Sequence, residues 1–288
     1  MENIENDVLV LENQISFDFD ELENEEQEES IILNETALKP QNFEWIKDEV
    51  LFVVVKAYND EVFENLPSLN LCGKEMIEWV LLAGYGCEQV VIDDCEDILS
   101  RVRSIRTDKK FIAIFYSDTP LLDKPAFYRI MDQFVSKSRN FLSLKRGYVV
   151  RTDFLRNNLT FMQGNIFDIE SEALTICDSA KSLSHIYKIL NNKILSFHIK
   201  NGVNMFGMNT IFIDADVEID SRVIIYPNNI IKGESIISSG TILESGNYID
   251  NSIISNDCLV LGSHIENSKI SAGKKIPAGS LIQNQEII

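Results

Sequence analysis

From residue 213 onward, one large aliphatic side chain recurs at every sixth position: Ile213, Ile219, Ile225, Ile231, Ile237, Leu243 and Ile249. The step then shortens to five at Ile254, returns to six at Val260, shortens at Ile265 and Ile270, and resumes at Ile276 and Ile282. Neither the 3.6-residue period of a helix nor the two-residue period of an ordinary strand produces this series. A hexapeptide repeat does: each six residues form one short parallel strand and its turn, and three such units close a triangular coil. The spacing predicts a left-handed β-helix over residues 211–285, roughly four coils long. Its inward aliphatics, Ile213, Ile219, Ile225, Ile231 and Ile237, are expected to stack in one interior column. The handedness is an exception to the right-handed crossover rule.

Upstream, residues 48–153 alternate strand-like and helix-like segments. Val50-Leu51-Phe52-Val53-Val54-Val55 is a continuous apolar run, as a strand buried on both faces requires. Lys74 to Leu82 has helical spacing, ended by Gly84 and Gly86. Gln89-Val90-Val91-Ile92 reads as a second strand, Asp97 to Ile105 as a helix, and Phe111 to Tyr116 as a third strand. Pro125 to Val135 reads as a helix with proline in its first turn. This βαβαβα order predicts a doubly wound, Rossmann-like α/β domain, whose ligands sit at the carboxyl ends of the strands. Asp118 stands at such an end. Its carboxylate suits a hard divalent cation, and it equally suits a cap on the turn ahead of Pro120.

Composition changes the picture in one place. The chain carries a net charge of −19, and residues 1–30 hold 12 of its 45 acidic residues with no Lys or Arg. Without that segment the balance is −7, ordinary for a globular domain (−19 + 12). Residues 1–40 are therefore read as an acidic, mostly disordered tail, either solvating or docking to a protein partner through Val8, Leu9, Val10, Leu11, Ile15, Phe17 and Phe19. Residues 41–200 are read as the α/β domain and 201–288 as the β-helix. Nothing basic is clustered, which argues against a nucleic-acid binder. No run of 18 apolar residues suggests a membrane span, and Met1-Glu2-Asn3-Ile4-Glu5 lacks the features of a signal peptide. Five scattered cysteines without a C-x-x-C pair fit reduced thiols, hence a cytoplasmic expectation.

Four segments resemble the bacterial bifunctional N-acetylglucosamine-1-phosphate uridyltransferase/glucosamine-1-phosphate acetyltransferase family. Tyr116-Ser117-Asp118-Thr119-Pro120-Leu121-Leu122 is similar to its Y-G-D-x-P-L-L, with Ser117 for glycine. Cys72-Gly73-Lys74-Glu75-Met76-Ile77-Glu78 is similar to its G-K-P-M-x-E, with Glu75 for proline. Asp216 through Ile225 resembles its entry into the solenoid, and Ile253 to Cys258 matches too, shortened steps included. The resemblance covers roughly residues 48–285. It implies a nucleotidyltransferase domain, Mg²⁺ as cofactor, a uridine nucleotide or sugar phosphate as ligand, and a homotrimer. Residue by residue, it implies Asp118 and Asp178 as metal ligands and Lys74 near the phosphates. The residues of Asp178 alone fit a helix N-cap as well.

The departures from that pattern are physical. The family's Gly-rich loop cradles phosphate on backbone amides. Here the first strand runs into Lys56-Ala57-Tyr58-Asn59-Asp60-Glu61, and no glycine occurs between Val50 and Cys72. The family's next Lys is replaced within Glu64-Asn65-Leu66, and Arg146 interrupts the lead-in to a G-x-Y segment. The β-helix stops before the family's acetyl-CoA coils, so acetyl transfer is not expected. Two functions compete: a diverged, truncated sugar-1-phosphate nucleotidyltransferase with an eroded phosphate site, or a non-catalytic binding and scaffold protein that assembles through its β-helix.

Overall fold

The computed structural model describes residues 43–58, 63, 65–94, 96–157 and 166–288. The tail apolar positions, Asn59, Asp60, Glu61, Glu64 and Cys95 lie outside them. The described residues form two compact units, one within 1–68 and 76–178, the other within 69–75 and 179–288.

In the first unit, α1 (Glu44–Glu49) leads directly into β1 (Val50–Lys56). The chain then visits the second unit as a hairpin of β2 (Asn70–Leu71) and β3 (Lys74–Glu75). It returns as α2 (Met76–Ala83), β4 (Glu88–Asp93), α3 (Ile98–Arg103), β5 (Phe111–Tyr116) and α4 (Lys124–Ser136). It closes with β6 (Phe141–Leu144), β7 (Gly147–Arg151), α5 (Thr152–Asn157) and β8 (Ile166–Phe167). One mixed sheet results, in the order β4-β1-β5-β7-β6-β8. Strand β1 runs parallel to both β4 and β5, whereas β7 is antiparallel to β5 and β6. The expected parallel core is present, and the β6–β7 hairpin adds antiparallel strands to it.

The sheet is covered on both faces, which explains the unbroken apolar run of β1. Phe52 and Val54 face one core with Phe115, Phe127 and Phe134. Leu51, Val53 and Val55 face the other with Leu99, Val102 and Leu155. The Phe127 ring stands edge-on to Phe52 and Phe115, at 5.0 and 5.9 Å between centroids. Helix starts follow local chemistry: the Asp97 and Asp123 carboxylates accept from the amides of Ser100 and Ala126. Where helical spacing suggested a start at Lys74, α2 begins at Met76, because Lys74 and Glu75 are held in the hairpin.

In the second unit, α6 (Ala180–Lys200) is started by a reciprocal Ser179–Ser182 capping box. Asn191 of this helix donates to the Ile211 carbonyl and accepts from the Ile213 amide. These bonds place α6 in the solenoid's unit, so the compact division falls at 178/179 and not at the expected 200/201. Beyond it, short strands distribute in turn over three five-stranded sheets, with every neighbouring pair parallel. This is the strand succession of a parallel β-helix.

The six-residue aliphatics do point inward: Ile213, Ile225, Ile231, Ile237, Leu243 and Ile249 are all buried. They do not form the single column expected from the sequence. Three columns exist, because consecutive repeats occupy consecutive faces. Ile213 pairs with Ile231 and then Ile249, Ile219 with Ile237 and Ile254, and Ile225 with Leu243 and Val260. The shortened steps leave these columns intact, since Ile249 still pairs with Ile265. Left-handed backbone is needed at the corners, and glycines such as Gly233, Gly240, Gly246, Gly262, Gly273 and Gly279 supply part of it. Asn228, Asn251, Asn267 and Asn284 supply other corners, with φ between 45° and 62°.

Candidate functional site

The carboxyl ends of β1, β4 and β5 lie together because these strands are parallel and in register. Lys56 ends β1, Asp93 ends β4, and Tyr116 ends β5, followed by Ser117 and Asp118. The loop after β5 is tied down locally. The Ser117 amide donates to the Val55 carbonyl, the Ser117 hydroxyl accepts from the Ala57 amide, and Thr119 bonds back to the Tyr116 carbonyl through its amide and hydroxyl. Asp118 is thereby fixed at the sheet end and only 4% exposed.

The group facing Asp118 is Arg146. Its Nε and Nη2 donate to the two carboxylate oxygens at 3.1 and 2.7 Å. Its guanidinium carbon lies 3.8 Å from the centre of the Tyr116 ring. The pairing depends on the neighbouring glycine. A Cβ at Gly147, where φ is +132°, would stand 2.5 Å from the Ile114 carbonyl oxygen, so glycine lets β7 close on β5 beside Arg146. Burial pushes the Asp118 carboxyl above the usual carboxylate range; the Arg146 bonds and charge oppose that shift, and Asp94 adds to it. Desolvation also pushes the Tyr116 phenol up to about 12. Nearby, Lys56 lies 3.7 Å from Asp93, and Tyr58 donates to the same carboxylate at 3.3 Å.

Asp178 is exposed and follows Cys177, whose amide donates to the Asp118 carbonyl at 2.8 Å. The chain thus runs past Asp118 just before Asp178, in the same unit. The N-cap of α6 is Ser179 and not Asp178, correcting the capping alternative. Among the described residues, no group of three or more His, Cys, Asp or Glu side chains could hold a metal ion. As arranged, both Asp118 oxygens accept from Arg146, so the positive charge facing this carboxylate is supplied by a side chain.

Lys74 belongs to the other unit. The Cys72 carbonyl accepts from the Ala215 amide, and Gly73, with φ +91°, packs so closely that a Cβ would meet Asp214 at 2.7 Å. Lys74 is then 5% exposed, with Nζ 2.6 Å from Asp216. The Gly-Lys motif anchors the hairpin to the first coil. Cys72 beside it is no ready nucleophile, since burial pushes its thiol up to about 12.

The sequence presented Arg146 only as an interruption, and its role was missed. The available signal was the excess cation itself, placed just ahead of the glycine of a hairpin.

A mixed α/β sheet and a parallel β-helix in one chain define a two-part protein of the kind the motifs resemble. No family model matches the chain. Curated relatives do. It is 29% identical over 119 residues to the bifunctional protein GlmU of Caldanaerobacter subterraneus subsp. tengcongensis, covering 41% of this chain and 26% of that one. It is 38% identical over 93 residues to that of Clostridium beijerinckii, covering 32% and 20%. It is 34% identical over 102 residues to that of Streptococcus agalactiae serotype V, covering 35% and 22%. The chain is therefore GlmU-like and diverged, and its matched stretch spans about a quarter or less of those relatives' length. Among solved structures, Rv0371c of Mycobacterium tuberculosis H37Rv matches with a TM-score of 0.35 and 10% identity over 49% of this chain and 97% of that one, too weak a likeness to assign a fold. No helix among the described residues is long and apolar enough to cross a membrane.

Proposed function

We propose that this chain is a non-catalytic binding and assembly protein built on the frame of a sugar-1-phosphate nucleotidyltransferase. The observation that carries the reading is the Asp118–Arg146 pair, in which the carboxylate at the sheet end is already matched by a fixed cation. Nucleotidyl transfer from UTP to a sugar phosphate, with pyrophosphate as leaving group, needs charge neutralisation around the triphosphate. A guanidinium paired with that carboxylate neutralises its charge and repels a divalent cation, which weakens recruitment of a metal for that purpose. Lys74, the other cation the resemblance offers, is held by Asp216. In this reading a uridine nucleotide or sugar phosphate is at most bound and not turned over, and Asp118 and Asp178 together hold no Mg²⁺. The four free cysteines among the described residues fit a reducing cytoplasm.

Assembly is supported by what the β-helix shows to solvent. One face carries Phe212, Ile230 and Leu281, each at least 37% exposed. Another carries the partly exposed Ile224, Ile242 and Leu259. Left-handed coils and a homotrimer are the arrangement we expect. Light scattering should then give three times the 32.8 kDa chain mass, and a particle of 32.8 kDa rules the trimer out.

The enzymatic reading is favoured by one observation, the burial of Asp118 at the carboxyl edge of parallel strands, where such sites lie. Pyrophosphate release from UTP and N-acetylglucosamine 1-phosphate with Mg²⁺ decides between the two. No release above background supports the proposal. Robust turnover that Asp118→Asn abolishes overturns it.

A further inference from the structure

The sheet has a second charged edge, at the amino ends of the same strands. There the loop between α3 and β5, the start of β4 and the end of α5 border an open surface cavity of about 640 Å³. Its lining includes Arg103, Arg106 and Arg156, against Glu88 and Asp108. Glu88 is matched by Lys109, 3.8 Å away. Three guanidiniums therefore share the lining with two carboxylates, in a chain whose overall charge is −19.

Two of the arginines are fixed by crossed bonds. Arg103 donates from Nε to the Leu155 carbonyl at 2.8 Å, joining the end of α3 to α5. Arg156 donates from Nη2 to the Thr107 carbonyl at 2.7 Å, joining the end of α5 to the loop after α3. Each straps one wall of the cavity to the other, so the guanidiniums are positioned before any ligand arrives. Arg103 and Arg156 also lie in the last turns of their helices, where a cation complements the helix dipole. That role does not extend to Arg106, which stands in the loop and lines the same cavity.

We propose that this cavity is an anion site for a small phosphate-bearing molecule, separate from the carboxyl edge that holds Asp118. Planar guanidiniums suit phosphate oxygens through paired N–H donors, and arginines outnumber carboxylates three to two in the lining. The volume exceeds that of the phosphate group alone, which leaves room for the body of a phosphate ester. The site is independent of the proposed function, because no residue of the Asp118 cluster lines it.

The test is calorimetric titration of the full chain with inorganic phosphate and, separately, with uridine diphosphate, both without divalent cations. The wild-type chain should bind uridine diphosphate more tightly than inorganic phosphate. Arg106→Glu, an exposed loop change, should weaken binding about tenfold or more, since it replaces an attraction with a repulsion. Arg156→Gln should weaken it as well, and thermal unfolding of both variants shows whether they remain folded. Asp118→Asn should leave it unchanged. Absence of heat with either probe, or binding that survives in Arg106→Glu, overturns the site. Loss in Asp118→Asn moves the ligand to the other edge and also overturns it. Equal affinity for the two probes overturns the claim that the cavity accommodates an ester body.

Discussion

The α/β unit and the β-helix unit solve the same problem, burying apolar strands, by opposite routes. In the β-helix the paired inward aliphatics repeat coil after coil, and buried polar side chains are bonded to neighbours in the stack. Asn247, for example, donates to Asn229 below it and accepts from the Ser263 amide above. In the α/β unit the decisive contacts join positions unrelated by any period, such as Arg146 and Asp118. The first kind of structure is written locally and repeatedly, the second once and at long range. Divergence can therefore alter the sheet-end site with one side chain while the solenoid requires many concerted changes.

The comparison is sharpest at Ile225. It is fully buried between Met205 and Leu243, so Ile225→Asp places an uncompensated carboxylate in an apolar column. We expect a loss of about 4 kcal/mol or more in chemical denaturation. A variant as stable as the wild type would mean that the column tolerates polar insertion and that the unit is not held by its repeat.

Next in size is Arg146→Ala, expected to cost about 2–3 kcal/mol, below the full penalty for a buried pair because Arg146 is 29% exposed. The pH dependence gives the sign. Without Arg146 the Asp118 carboxyl rises further above its unfolded value. The native state then binds more protons than the unfolded one over that window, and stability falls as pH rises through it. The variant should therefore be relatively less damaged near pH 4 than near pH 7. Adding Asp118→Asn should recover part of the loss at pH 7; no recovery would show that Arg146 acts elsewhere.

A comparable single-site effect belongs to the solenoid unit. His198 is 2% exposed, its Nε2 has no hydrogen-bond partner among the described residues, and burial lowers its pKa from 6.5 to about 4. The unfolded chain therefore binds the extra proton first. Stability is full above pH 6.5 and declines as pH falls from there toward 4, by about 3 kcal/mol. His198→Leu should flatten this part of the pH profile, and an unchanged slope would assign it to other groups. The smallest effect is Ile225→Val, about 1 kcal/mol for one deleted methylene.

These differences also explain what could be read in advance. The β-helix was legible from Ile213 to Ile282 because its period is short and its signal is repeated. The distribution into three columns was not foreseen, although it follows from three faces per coil. Strands β1, β4 and β5 were legible as apolar runs, whereas the hairpin that carries β6 was not, since Phe141 to Leu144 is short and bounded by charge. Asp118 stood out by its place after a strand. Its partner did not, because 28 residues separate them and only the closure of β7 on β5 brings them together. Lys74 was read as a phosphate contact from its motif, while its burial against Asp216 depends on a hairpin seated on a distant coil.

The central claim is that Asp118 is held by arginine in place of a metal, and cation binding tests it most directly. Mn²⁺ should be titrated into the intact chain at neutral pH while free Mn²⁺ is followed by electron paramagnetic resonance, with Asp118→Asn in parallel. The account predicts the same free signal for both proteins across the titration. Stoichiometric uptake by the wild type that vanishes in Asp118→Asn would contradict it.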